Sequence, residues 1–381
     1  MAPIGLYLHI PFCAAICNYC NFNRGLHDEA LRRRYVAALV ADIRRQAAPA
    51  VAADTIFFGG GTPSLLDKAE VAAILAACRE SFTVAVDAEI TLEANPESAT
   101  TAALEGYRAA GINRLSFGVQ SFHDAELKRL GRLHSSATAR QAVTGARAAG
   151  FDNLSLDLMM WLPGQQPADW LASVDALIEV APDHASLYLL EIYPNAPLKD
   201  DMARAGWSVA PDDDAAEMYL EGLGRLDLAG FEQYEISNVS RPGRRARHNL
   251  KYWREGEWIG FGCGAHSTYA GERWRTLNAT AEYVDRIAAG AEVRLDRRTL
   301  DPHERLEEAL FMGLRLVDGL DLPGVRDQHG VDIWARYGQD LATFVELGLL
   351  VHEPGRRLAL TRAGMLLANE VMSVFIGRTV R

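Results

Sequence analysis

Apolar positions in the first half of the chain gather into short continuous runs, separated by longer stretches of helical period. The runs are "GLYLHI" (5–10), "DTIFFGG" (54–60), "EITLEA" (89–94), "RLSFGV" (114–119), "NLSLDLM" (153–159) and "ASLYLLEIY" (185–193). Each has strand length and is rich in β-branched or aromatic residues. Between them, Ala/Leu/Arg-rich stretches at 28–48, 67–81, 100–110, 122–130 with 136–149, and 167–180 repeat their apolar residues every three or four positions. Strand and helix alternating six times predict a parallel sheet. Strands without polar alternation predict a sheet covered on its helical side.

Each run also ends in polar or glycine-rich residues. The first leads into cysteines and the second into Gly59-Gly60-Gly61-Thr62. The third ends at Glu93 and Asn95, the fourth at Gln120, the fifth at Asp157, the sixth at Glu191 and Tyr193. In a βα barrel the chemistry sits at the C-terminal strand ends. The expected class is therefore α/β, an incomplete parallel (β/α)6 barrel, with a full eight-strand barrel as the alternative. Six units can be counted before the pattern changes near residue 200.

Beyond that point, 210–230 reads as a helix with an acidic start, and "FEQYEISN" (231–238) as a strand. An Arg-rich segment, "RPGRRARHNLKYWR" (241–254), precedes the Gly-rich, aromatic "WIGFGCGAHSTY" (258–269). From about 300 the chain reads helix, strand, turn, strand, helix, a winged-helix-like α+β module. A packing or lid role is expected for it.

Charge narrows the function. The 381 residues carry a formal net charge of −11, which opposes binding to polyanions, so nucleic acid is not an expected partner. No apolar run reaches the length of a transmembrane helix. The N-terminus lacks the basic region of a signal peptide. Five cysteines, an odd number, argue against a disulfide framework and for a reducing, cytoplasmic setting.

Three of those cysteines, Cys13, Cys17 and Cys20, lie in one short stretch at spacing C-x3-C-x2-C. Thiolates so placed suit an Fe–S cluster or zinc. Structural zinc wants four ligands. His9 lies on the preceding strand, Cys78 in an expected helix, and Cys263 far along the chain. A [4Fe–4S] cluster with one iron left open accounts for the missing fourth ligand. A zinc site and three incidental buried cysteines are the alternatives.

C-x3-C-x2-C after the first strand of an incomplete βα barrel, followed by "GGGTP", resembles the radical SAM superfamily. There the open iron is chelated by S-adenosylmethionine (SAM). "YLHIPFC", "FFGGGTPS", "LEANPES", "RLSFGVQSF", "LGRLH", "LDLMMWLPGQ" and "HNLKYWREGEWIGFGCGAHS" together resemble the oxygen-independent coproporphyrinogen oxidase group, and within it the HemW branch. The resemblance spans nearly the whole chain. It implies a radical SAM barrel core over 1–200, a family-specific extension over 201–295 and the winged-helix-like domain over 296–381. It also implies roles for single residues. Tyr7 and Phe22 flank the cluster loop. Gly60, Gly61 and Thr62 receive the methionyl end of SAM, and Glu93 pairs with that end. Gln120, Arg132 and Asp157 match positions that hold a second SAM in the porphyrinogen-oxidising branch. That branch carries a further cysteine where this chain has Phe22, and a long segment before the motif. Both departures match the HemW pattern, which implies haem binding and delivery to an acceptor protein, with an electron donor for the cluster. His248, Tyr252 and Trp253 of "HNLKYW" then become expected haem contacts. Arg241, Arg244, Arg245, Arg247 and Arg254 become expected partners of the propionates. The alternative function is a coproporphyrinogen III dehydrogenase.

Overall fold

The computed structural model describes residues 2–194 and 196–376. Six parallel strands run side by side in chain order: β1 (Ile4–Ile10), β2 (Ala52–Gly60), β3 (Thr83–Ala94), β4 (Arg114–Gln120), β5 (Leu154–Met160) and β6 (His184–Leu189). The helices α1 (Glu29–Arg45), α2 (Lys68–Ser81), α3 (Thr101–Ala110), α4 (Asp124–Arg129), α5 (Ser136–Ala148) and α6 (Pro167–Val180) return the chain between them. Their starts follow local chemistry. Asp67 caps α2 and forms a reciprocal capping box with Glu70, and Asp28 caps α1 through the Leu31 amide. On β1, Ile4, Leu6, Leu8 and Ile10 are buried in the main hydrophobic core with the helices. Tyr7 and His9 alternate with them toward the interior.

The sheet is larger than the pattern predicts. After α7 (Pro197–Ala205) and α8 (Asp212–Leu228), the expected strand at 231–238 splits into β7 (Glu232–Gln233) and β8 (Asn238–Ser240). β8 pairs antiparallel with both β7 and β6. The Glu235 carboxylate accepts from the Ser237 amide, which favours a turn over a continuous strand. β6 stops at Leu189, short of the expected 193, and β3 starts at Thr83, ahead of the expected 89.

"HNLKYW" lies in a helix, α9 (Arg247–Trp253), and β9 (Trp258–Phe261) follows as a seventh parallel strand on the free edge of β1. Four residues among glycines carry too little pattern to announce a strand. Three antiparallel strands continue outward: β10 (His266–Tyr269), β11 (Glu272–Thr276) and, after α10 (Thr280–Ala288), β12 (Arg294–Thr299). The twelve strands stand in the order β12-β11-β10-β9-β1-β2-β3-β4-β5-β6-β8-β7.

The C-terminal module has its own core, with Leu310, Leu341, Leu358, Val371 and Phe375 all fully buried. It comprises α11 (Pro302–Gly313), β13 (Leu320–Asp321), α12 (Leu322–His329), α13 (Ile333–Glu346), β14 (Leu350–Glu353), β15 (Arg357–Leu360), α14 (Arg362–Leu366) and α15 (Ala368–Ser373). Its three strands form a separate small sheet, as a winged-helix-like unit requires. Met1, Asn195 and 377–381, which the expected segments 1–200 and 296–381 include, lie outside the described residues. Among the described residues no helix is long and apolar enough to cross a membrane.

Candidate functional site

The cysteine loop leaves the C-terminal end of β1 and is closed at its base, where Phe12–Cys13 pairs with Gly25–Leu26. Cys13, Cys17 and Cys20 are free thiols on the wall of one cavity of about 380 Å³. Gly60, Gly61, Thr62, Glu93, Gln120, Arg132, Asp157 and Phe22 line the same cavity. Eleven of the expected site residues are thus brought together from the ends of five strands and their loops. Among the described residues no three His, Cys, Asp or Glu side chains close into a complete metal-ligand group.

The glycines have a packing reason of their own. The amides of Gly61 and Thr62 donate to the carbonyls of Ile10 and Phe12 at 2.8 and 2.7 Å, which laces the end of β2 to the start of the cysteine loop. A Cβ on Gly61 would stand 2.7 Å from the Phe12 carbonyl oxygen. Gly60 has φ of +114°, a left-handed backbone that suits glycine.

Two carboxylates lie deep in the cavity. Burial pushes the Glu93 carboxyl up to about 8, with the Asp157 charge adding to the shift; the Gly60 amide (N–H to Oε2, 3.2 Å) and the Arg114 charge pull the other way. Asp157 is pushed up to about 6, again chiefly by burial. Asp157 Oδ1, Gln120 Oε1 and Arg132 Nε are buried without a hydrogen-bond partner among the described residues. Such orphans beside an empty space are the signature of a polar ligand's site. Arg132 is no surface charge: Nη2 donates to Asn95 Oδ1 and the Gly118 carbonyl, both at 2.7 Å, and Nη1 approaches Cys17 Sγ at 3.4 Å. Gln120 takes φ of +68°, a strained value for a side-chain-bearing residue at a strand end. Burial also raises the Cys13 and Cys20 thiols; the Thr62 side chain counters it at Cys13 and the Phe22 amide at Cys20. Arg114, 2% exposed, lowers both carboxylates by its charge; it goes unnoticed in the sequence, because an arginine opening an apolar run looks like a strand's solvent end.

The remaining expected residues fall elsewhere. Tyr7 lies below the cavity, its hydroxyl 3.1 Å from His9 Nδ1 and its ring stacked near Phe57 and His248. Phe22, already counted on the cavity wall, stands at its rim and is 66% exposed. His248 is 1% exposed, and both ring nitrogens are engaged, Nδ1 with Thr55 Oγ1 and Nε2 with the Tyr252 hydroxyl, each at 2.8 Å. His248 could reach a haem iron only after one of these two bonds opens. Trp253 lies under the Arg315 guanidinium, 4.5 Å from the ring centroid. The arginines expected at the propionates have partners within the chain. Arg245 and Arg254 share Asp318, Arg247 pairs with Asp54 and Asp87, and Arg244 with Asp152. Arg241 donates to the Ala229 carbonyl and stacks on Phe231.

Known proteins share this architecture. Residues 7–177 match the radical SAM superfamily and 300–367 the HemN C-terminal domain. The heme chaperone HemW of Bacillus subtilis (strain 168) is 33% identical over 374 residues, covering 97% of this chain and 98% of the relative. The chain belongs to the HemW family. The heme chaperone HemW of Mycobacterium tuberculosis (strain ATCC 25618 / H37Rv) is 37% identical over 388 residues, covering 98% and 95% of the two chains. This chain also shares its fold with the coproporphyrinogen III oxidase HemN of Escherichia coli: TM-score 0.85 at 22% identity, over 98% of this chain and 90% of that one.

Proposed function

We propose that the chain is a cytoplasmic haem chaperone: it binds haem, hands it to an acceptor protein, and carries a [4Fe–4S] cluster on Cys13, Cys17 and Cys20 with SAM on the open iron. The observation that carries this reading is the convergence of the three thiols, the Gly60–Thr62 backbone and Glu93 on one cavity, in a chain aligned end to end with heme chaperones HemW. The donor set fits, since three thiols share a wall and no fourth cysteine joins them. When bound, the cluster supplies one-electron reduction of the SAM sulfonium, using an external electron donor. The chain's own groups bind and orient. Gly60 and Gly61 let backbone polar groups approach the methionyl end. Glu93, whose carboxyl burial pushes up to about 8 in the free cavity, would accept a hydrogen bond from the amino group of that end. Gln120, Arg132 and Asp157 offer unpartnered atoms to the rest of the ligand.

His248 remains the iron-ligand candidate on the "HNLKYW" segment, on the condition that its bond to Thr55 or to Tyr252 opens first. The test is anaerobic reconstitution of wild type and Cys17→Ser, with iron counted and EPR recorded, then haem titration followed at the Soret band. Wild type is expected to hold one cluster and bind haem. Cys17→Ser should lose the cluster. His248→Ala should keep the cluster and shift the Soret band. Zinc in place of iron, or no haem uptake, would reject the reading. So would conversion of coproporphyrinogen III to protoporphyrinogen in the presence of SAM and reductant.

A further inference from the structure

The closing end of the cysteine loop is held by a part of the chain that lies outside the cavity. Asn23 follows Phe22, and its side-chain amide donates to the carbonyls of Cys263 and Asn278, both at 3.1 Å. Its own carbonyl accepts from His9 Nε2 at 2.8 Å. A carbonyl only accepts, so Nε2 carries the proton and Nδ1 is left to accept from the Tyr7 hydroxyl at 3.1 Å. The opposite side is equally constrained. The Tyr35 hydroxyl donates to the His9 carbonyl at 2.7 Å and accepts from the Cys263 amide at 3.1 Å. Gly262 and Gly264, at φ of +94° and +76°, have no space for a side chain. A Cβ on Gly262 would stand 2.8 Å from the His9 carbonyl oxygen, and one on Gly264 3.0 Å from the Asn23 side-chain carbon.

We infer that Asn23 is a positioning residue for the cluster: it pins the end of the cysteine loop to the loop after β9, with His9 as the second pin, and so fixes Cys20 relative to Cys13 and Cys17. The inference rests on the proposed cluster. It gives the seventh strand a purpose, because β9 carries the Gly262–Gly264 loop to the cysteines by pairing with β1. Without the pins, the stretch from Cys20 to Asn23 would still be held by Arg24, which donates to the Cys20 and Phe22 carbonyls, and by the Gly25–Leu26 pairing, but more of it would have to be ordered at each metal-binding event, which costs conformational entropy. The hydrogen bond from Asn23 is accepted by the Cys263 backbone carbonyl, which Cys263→Ala keeps.

The experiment uses the full chain, reconstituted anaerobically. Cluster loss to an iron chelator is followed by absorbance, and the reduced cluster by EPR. Asn23→Ala should lose its cluster about ten-fold faster than wild type, the effect of about one net hydrogen bond, with a shifted EPR signal and an unchanged circular dichroism spectrum. His9→Gln keeps an N–H near the position of Nε2 and should restore the wild-type lifetime, whereas His9→Leu should behave like Asn23→Ala. Cys263→Ala should match wild type. Equal lifetimes and spectra in Asn23→Ala and wild type would overturn the pin while leaving the cluster in place. A cluster lost in Cys263→Ala would also overturn it, by making that thiol a ligand. Wild type without any cluster would instead sink the underlying reading. Should Asn23→Ala fail to fold, the contrast between His9→Gln and His9→Leu decides.

Discussion

Glu93 shows how one side chain's chemistry depends on what shares its cavity. Its folded value of about 8 lies above the unfolded carboxylate value of about 4.3. The native state therefore holds an extra proton between those two values. Its contribution to stability is complete below about pH 4 and is lost as pH rises toward 8. Glu93→Gln removes the effect, so melts of the ligand-free protein should show the variant gaining several degrees over wild type at pH 8 and nothing at pH 4. Asp157 acts with the same sign, but its window ends near pH 6. In the cluster-free protein, where no iron takes the methionyl nitrogen, its ammonium group arriving beside Glu93 at pH 7 should expel the proton. Calorimetry of SAM binding to the cluster-free protein in buffers of different ionisation enthalpy should then report close to one proton released by wild type and close to none by Glu93→Gln. Strand-end position made Glu93, Gln120 and Asp157 legible in the sequence. Arg114 and Asn23 were not legible, because their partners are distant in the chain and neither belongs to a pattern.

At the level of elements, the glycine stretch after β2 serves two neighbours at once. Its amides bond to Ile10 and Phe12, and a side chain on Gly61 would strike the Phe12 carbonyl. Gly61→Val should therefore lose both SAM binding and a properly held cluster, and EPR before and after SAM addition would detect the double loss. A variant with a native cluster signal but no SAM effect would mean the backbone contact is soft. The six βα units were readable because each strand is an unbroken apolar run. α9 was not, because its first turn is completed from another element. The Glu89 carboxylate, buried on β3, accepts from the Arg247 and His248 amides at 3.0 Å each. Glu89→Ala removes both bonds and should cost about 1–2 kcal/mol, the range of a lost helix cap, measurable by denaturant melts.

In the whole molecule, the barrel core and the core of the C-terminal module are joined across a small polar seam. Glu235, fully buried, pairs with Arg315 at 3.0 Å, and the same guanidinium covers Trp253. Burial still holds the Glu235 carboxyl above its ordinary value despite that partner, so its pairing is finely balanced. Arg315→Ala leaves the carboxylate uncompensated and should destabilise by about 3 kcal/mol, read as a lower denaturant midpoint. The seam was invisible in the sequence, since 235 and 315 lie in segments with no shared pattern. It also encloses α9. That helix is bonded to the barrel through Glu89, Thr55 and Asp54, and to the C-terminal module through Asp318, Arg315 and His329, which meets Glu255 just past the helix. An arriving haem cannot speed the release of such a helix. If His248 is its ligand, the observed association rate should climb with haem concentration, then level off at a ceiling set by the protein's own opening. Stopped-flow traces that stay linear in haem would show a guest admitted by an open door elsewhere.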